Sequence, residues 1–65
     1  MLPRETVTLV TPDGAIPFKV SRLDGRVVTV TPEFADVARI AREKSVPVRD
    51  VLDRARAEGR RLLER

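Results

Sequence analysis

Residues 7–32 read VTLVTPDGAIPFKVSRLDGRVVTVTP, and residues 33–65 read EFADVARIAREKSVPVRDVLDRARAEGRRLLER. In the first stretch apolar and polar residues alternate with period two, the signature of half-buried strands; in the second, apolar residues recur at steps of three and four, the signature of helices. The change of texture at Pro32 decides the fold class. It predicts an α+β chain with a three-stranded antiparallel sheet followed by two helices, in the order β-β-β-α-α, forming one small domain over residues 1–65.

Two turns divide the strands. Thr11-Pro12-Asp13-Gly14 sets Pro at the second turn position and Gly at the fourth, the type I preference. Asp24-Gly25 between apolar runs predicts a type I′ hairpin, whose two central residues both need positive φ. The strands are expected over about Thr6–Val10, Ala15–Leu23 and Arg26–Thr31, with Val7 and Leu9, then Ile16, Phe18 and Val20, then Val28 and Val30 turned to the core. Pro17 cannot donate to a ladder, so it should lie beyond the reach of one neighbouring strand.

Thr31-Pro32-Glu33-Phe34 is read as a helix entry, with Thr31 as cap, Pro32 at the first helical position, and Glu33 and Asp36 where the helix dipole favours negative charge. Phe34, Val37, Ala38 and Ala41 should face the sheet, with Ile40 at the margin. Ser45-Val46-Pro47 breaks the pattern, and Val48, Val51, Leu52, Ala55, Leu62 and Leu63 form the stripe of the last helix. Gly59 sits within that stripe, where glycine costs roughly 1 kcal/mol relative to alanine, so it marks either close packing or fraying.

A chain of 65 residues buries only about 60 % of the surface its unfolded form exposes. With no cysteine and no histidine, disulfides and structural zinc are excluded as supports, and oligomerisation is the expected one. The first residues, Met1-Leu2-Pro3-Arg4-Glu5, lack the apolar core of a signal peptide, and no apolar run approaches the roughly 20 residues that span a bilayer, so a cytoplasmic location without a membrane partner is expected.

The same composition narrows the chemistry. Without His or Cys, triad hydrolase chemistry has no base or thiol, and Gly14, Gly25 and Gly59 are too scattered for a phosphate loop. Glu33 and Asp36, three apart at a helix start, share a face on which two carboxylates can hold Mg²⁺ or Mn²⁺ together with nucleotide phosphates; the plainer reading is dipole complementation. Lys19, with Arg22 or Arg26, can pair with phosphate, although a single strand lysine is commonly just solvated. Residues 38–55 also fit a helix-turn-helix, with Val48–Ala57 as recognition helix. Against it, Asp50 and Asp53 would repel phosphate at the groove-facing end, and aromatic stacking platforms are missing. The 13 basic residues are interleaved with 10 acidic ones, giving a net charge of only +3, so nucleic acid is not the expected partner.

Taken in order, VTPDGAIPFKV and GRVVTVTPEFADVARIAREKSVPVRDVLDRA resemble the C-terminal segment of LarC-type nickel-insertion proteins, which act in making the nickel-pincer nucleotide cofactor of lactate racemase. The residues that carry the likeness are Thr11-Pro12, Gly14, Lys19, Gly25-Arg26-Val27-Val28, Pro32-Glu33-Phe34, Asp36, Ala41 and Val46-Pro47-Val48. Departures are Asp13 for an aromatic, Pro17 for a basic residue, Ala35 for Glu and Val37 for Cys. The resemblance implies a relative of the nucleotide-handling terminal domain, binding CTP through Lys19 and Arg26 with Mg²⁺ or Mn²⁺ on Glu33 and Asp36. It also implies a homo-oligomer that works with a separate nickel-insertion chain. A complete cyclometallase is not expected of this chain by itself, nor is a nickel site, since nickel favours imidazole or thiolate. The alternative readings are a structural oligomerisation module without a ligand site and the helix-turn-helix binder.

Overall fold

Ile16, Phe18 and Val20 alternate along the middle strand and are 0–1 % exposed, which makes this strand the floor of the core. The computed structural model describes residues 4–64. It contains β1 (Arg4–Thr11), β2 (Gly14–Leu23), β3 (Arg26–Pro32), α1 (Phe34–Lys44) and α2 (Val48–Leu63). The strands form one antiparallel sheet in the order β1-β2-β3. Both helices lie on one face: α2 packs on β3 and β1, and α1 on α2 and β2. The α+β class and the β-β-β-α-α order are as the sequence predicts.

Both turns fall where the sequence places them. Thr11 pairs with Gly14 across a two-residue turn, where the Thr11 hydroxyl donates to the Gly14 carbonyl (2.8 Å) and accepts from the Asp13 N–H (3.1 Å). At the second hairpin Asp24 and Gly25 have φ of 52° and 80°, as a type I′ turn requires. Pro17 sits opposite Thr8 of β1, and the β2–β3 ladder starts only at Phe18↔Pro32. The missing donor therefore faces no β3 strand partner, while the Pro17 carbonyl still accepts from the Glu33 N–H (2.9 Å).

Three expectations are corrected. A bulge between Ser21 and Arg22 pairs Ser21 with Thr29 but Arg22 with Val27, which leaves Val28 as the extra residue. One extra residue reverses the alternation. Val27 and Val30 therefore pack on the core, and Val28 is 41 % exposed. Second, Thr31 does not cap α1: it stays in the ladder opposite Lys19, Pro32 pairs with Phe18, and Glu33 becomes the N-cap residue. Continued strand pairing out to the Glu33 N–H outweighs the capping bond. Third, the later start rotates the buried stripe of α1 to Val37, Ile40 and Ala41, so Phe34 is 59 % exposed and Ile40 is central.

The break between the helices is a Schellman turn. Ser45 is left-handed (φ 56°), its N–H bonds the Arg42 carbonyl, and the Val46 N–H bonds the Ala41 carbonyl. On α2 the buried residues are Val51, Ala55 and Gly59. A Cβ at Gly59 would lie 3.1 Å from both Phe18 Cε2 and Val30 Cγ1. Close packing of α2 on the sheet, not fraying, explains that glycine.

Candidate functional site

The sheet has one open face. Alternation opposite the core brings Thr6 of β1, Lys19 of β2 and Thr31 of β3 into one cross-strand row. Lys19 is the cation at the middle of that row, and its ammonium lies 3.6 Å from the Glu33 carboxylate, with both side chains partly exposed. The contact follows from the β3–α1 junction: pairing out to Glu33 holds the first residue before α1 against the β2 strand. Asp36 stands in the first turn of α1, and its N–H bonds the Glu33 carbonyl (3.1 Å), which fixes the two acidic residues in one turn. The Asp36 carboxylate accepts from the Arg39 guanidinium at 3.4 Å, and Arg39 also reaches Glu43 at 3.1 Å. A shallow depression of about 260 Å³ opens beside Lys19, bounded by Arg4, Glu5 and Thr6.

The structure thus sets Lys19 beside Glu33, with Asp36 in the following turn and its carboxylate on Arg39. Arg26 it places elsewhere, at the hairpin end of β3 opposite Leu23. The ladder partner of Lys19 is Thr31, five residues further along β3, which at about 3.3 Å per residue puts Arg26 roughly 16 Å away. Arg26 lines a second depression of about 310 Å³ with Arg22, Gly25, Val27, Leu62 and Leu63. Arg22 there is held by Glu5, Nε to Oε1 at 2.6 Å.

Among the described residues no three His, Cys, Asp or Glu side chains group as a metal cage. Two carboxylates in one helical turn suit a different mode, in which Mg²⁺ or Mn²⁺ keeps water ligands and is completed by substrate phosphates. In this structure the partly exposed Glu33 is paired with Lys19 and Asp36 with Arg39, so an ion at this turn would have to displace those two cations. No helix among the described residues is long and apolar enough to cross a membrane.

Sequence reasoning missed the strongest electrostatic feature, a clamp at the first turn. The Asp13 side chain is only 3 % exposed and takes two bonds from Arg54 (Nε to Oδ2 2.7 Å, Nη2 to Oδ1 3.0 Å) and one from Lys44 (Nζ to Oδ1 3.0 Å). The Arg54 bonds, with Lys44 behind them and burial opposing, lower its pKa from 3.8 to about 2. The same bonds raise that of Arg54. The clamp ties the β1–β2 turn to both helices. Its partners are 31 and 41 residues away in sequence, so no local pattern announces them. Arg54, which a recognition helix would present to phosphate, is committed to Asp13 instead.

The model of the family described as nickel insertion protein matches residues 1–52. A pyridinium-3,5-bisthiocarboxylic acid mononucleotide nickel insertion protein of Nocardioides sp. is 45 % identical over 62 residues, covering 95 % of this chain and 16 % of that protein. The protein of the same name from Thermotoga petrophila is 41 % identical over 49 residues, 75 % of this chain and 12 % of its own length. Among solved structures, the chain superposes on LarC2, the C-terminal domain of a cyclometallase involved in the synthesis of the NPN cofactor of lactate racemase. That match has a TM-score of 0.77 at 29 % identity and covers 89 % of this chain and 40 % of that one. The chain therefore spans under a fifth of the length of these curated relatives and less than half of the solved domain. With the family model matched over most of its residues, this chain belongs to the nickel insertion protein family.

Proposed function

We propose that this chain is a nucleotide-handling module of nickel-cofactor assembly, binding CTP with Mg²⁺ or Mn²⁺ on the open sheet face and acting with a separate nickel-insertion chain. The observation that carries this reading is the Lys19–Glu33 contact at the β3–α1 junction, with Asp36 in the first helical turn that follows. Phosphate needs fixed positive donors, and hard cations prefer carboxylate and water oxygens. In this reading Glu33 and Asp36 hold the ion, which neutralises phosphate charge when bound. Lys19 turns from Glu33 to donate to a phosphate oxygen, a small movement for an exposed side chain. Arg26, at the hairpin end, serves a second anionic contact, since it cannot share one phosphate with Lys19. Nickel is cargo here. A chain without His or Cys leaves its soft ligands to the companion chain.

Titration of CTP with Mn²⁺ into the wild type and two variants tests the assignment. Lys19→Ala and Asp36→Ala should each weaken binding roughly tenfold, the loss of one bond to a charged group, with unchanged far-UV circular dichroism. Unaltered affinity in both variants would remove the site.

A further inference from the structure

We propose that Asp24-Gly25 is a self-modifying site, where the Gly25 nitrogen attacks the Asp24 side-chain carboxyl and turns the residue into isoaspartate, while the same dipeptide at Asp13-Gly14 is held inert by its ion pairs. The inference is independent of CTP binding. Aspartate precedes glycine in both hairpin turns. Glycine lacks the Cβ that would shield the attacking nitrogen, so both pairs are intrinsically reactive. The step needs only solvent water. The side chain reacts as the neutral acid: a bond forms between Gly25 N and Asp24 Cγ, the bond from Cγ to its hydroxyl oxygen breaks, and water leaves with the amide proton. The resulting succinimide takes up water at either carbonyl. Cleavage of the Cγ–N bond restores aspartate. Cleavage of the bond between N and the Asp24 carbonyl carbon leaves the main chain running through Cγ, with no net change in atoms.

The two pairs differ in how they are held. Leu23↔Arg26 is the last ladder pair of the second hairpin, and Asp24 and Gly25 are exposed beyond it. Arg22, two residues back, is committed to Glu5, and among the described residues nothing bonds the Asp24 carboxylate or the Gly25 N–H. A Cβ at Gly25 would meet nothing within 4 Å, so the tip has room to turn. Asp24 already holds a left-handed φ of 52°, which costs a residue with a side chain, and exposed tips open cheaply. Asp13 is the reverse case. Its carboxylate is 3 % exposed and gripped by Arg54 and Lys44, its N–H is bonded to the Thr11 hydroxyl, and Gly14 is paired with Thr11. Attack there requires bonds to two helices to be released. The same cations keep Asp13 ionised, with its pKa at about 2, whereas the reaction consumes the neutral acid. At position 24 the product adds a carbon to the main chain of a two-residue turn. The type I′ geometry is lost, and Arg26, which lines the depression at this end, loses its fixed place.

Ageing the purified chain in neutral buffer and digesting it with trypsin reads both sites. Cleavage after Arg22 and Arg26 releases Leu23–Arg26, and cleavage after Arg4 and Lys19 releases Glu5–Lys19. Chromatography against synthetic peptides separates the isoaspartyl forms, which have unchanged mass. Isoaspartate should build up at position 24 at least about tenfold faster than at position 13, the factor that one hydrogen bond to a charged group imposes. In urea the difference should vanish. Lys44→Ala combined with Arg54→Ala should free Asp13 to react while the rate at Asp24 stays as in the wild type. If that variant unfolds, the ratio of the two sites in folded and urea-unfolded wild type decides. Equal rates at the two sites in the folded chain would overturn the proposal. So would an Asp24 that stays intact in the folded chain over a time in which it reacts in urea.

Discussion

Asp13 is the residue whose removal should be felt most at the polar sites of this fold. Its buried carboxylate satisfies Arg54 in bidentate fashion and Lys44 beside it, while both cations keep partial contact with water. Screening on that side limits the gain, so Asp13→Asn should cost about 1–2 kcal/mol. The pH dependence follows from the sign of the shift. A carboxyl whose folded pKa falls from 3.8 to about 2 contributes stability above pH 3.8 and loses it as pH drops toward 2. Thermal melts should therefore separate wild type and Asp13→Asn near neutral pH and bring them together near pH 2; a gap that stays constant across this range would mean that the carboxylate charge is not what stabilises the turn.

At the level of elements, legibility depended on whether the deciding interaction was local. Asp24-Gly25 gave its turn type from two residues, and the Ile16, Phe18, Val20 alternation gave the core strand, because both rest on intrinsic backbone and side-chain direction. Val28 was misplaced because a bulge is a property of two strands, invisible in either alone. Thr31 looked like a cap because its competing partner, Lys19, lies twelve residues upstream across the sheet. The grouping of Lys19 with Glu33 came through that same pairing, whereas the Asp13 clamp spans three elements and left no trace in spacing.

Packing at Gly59 gives the element-scale prediction. Alanine would recover roughly 1 kcal/mol of helix propensity. It would also drive a Cβ to 3.1 Å from the ring of Phe18, which is fully buried and has nowhere to move. Overpacking costs about 1–3 kcal/mol, so Gly59→Ala should lower the melting temperature, and a raised one would mean that α2 stands off the sheet. Ser45 works in the opposite sense. It holds a left-handed φ of 56° where glycine is at ease, so Ser45→Gly should stabilise by up to about 1 kcal/mol, read as a higher midpoint in urea.

The whole molecule is a thin layer: a three-stranded sheet covered on one face by two helices and open on the other. The covered face holds the fold, and the open face carries Lys19, with Glu33 of the β3–α1 junction beside it. This division of labour suits a module that presents a polar surface to a charged ligand. Calorimetric titration of CTP into the wild-type chain, with and without Mn²⁺, tests that assignment most directly. Saturable binding that strengthens when Mn²⁺ is present is expected, because Glu33 and Asp36 can meet phosphate only through a cation. Absence of heat and saturation up to millimolar CTP with Mn²⁺ would contradict it.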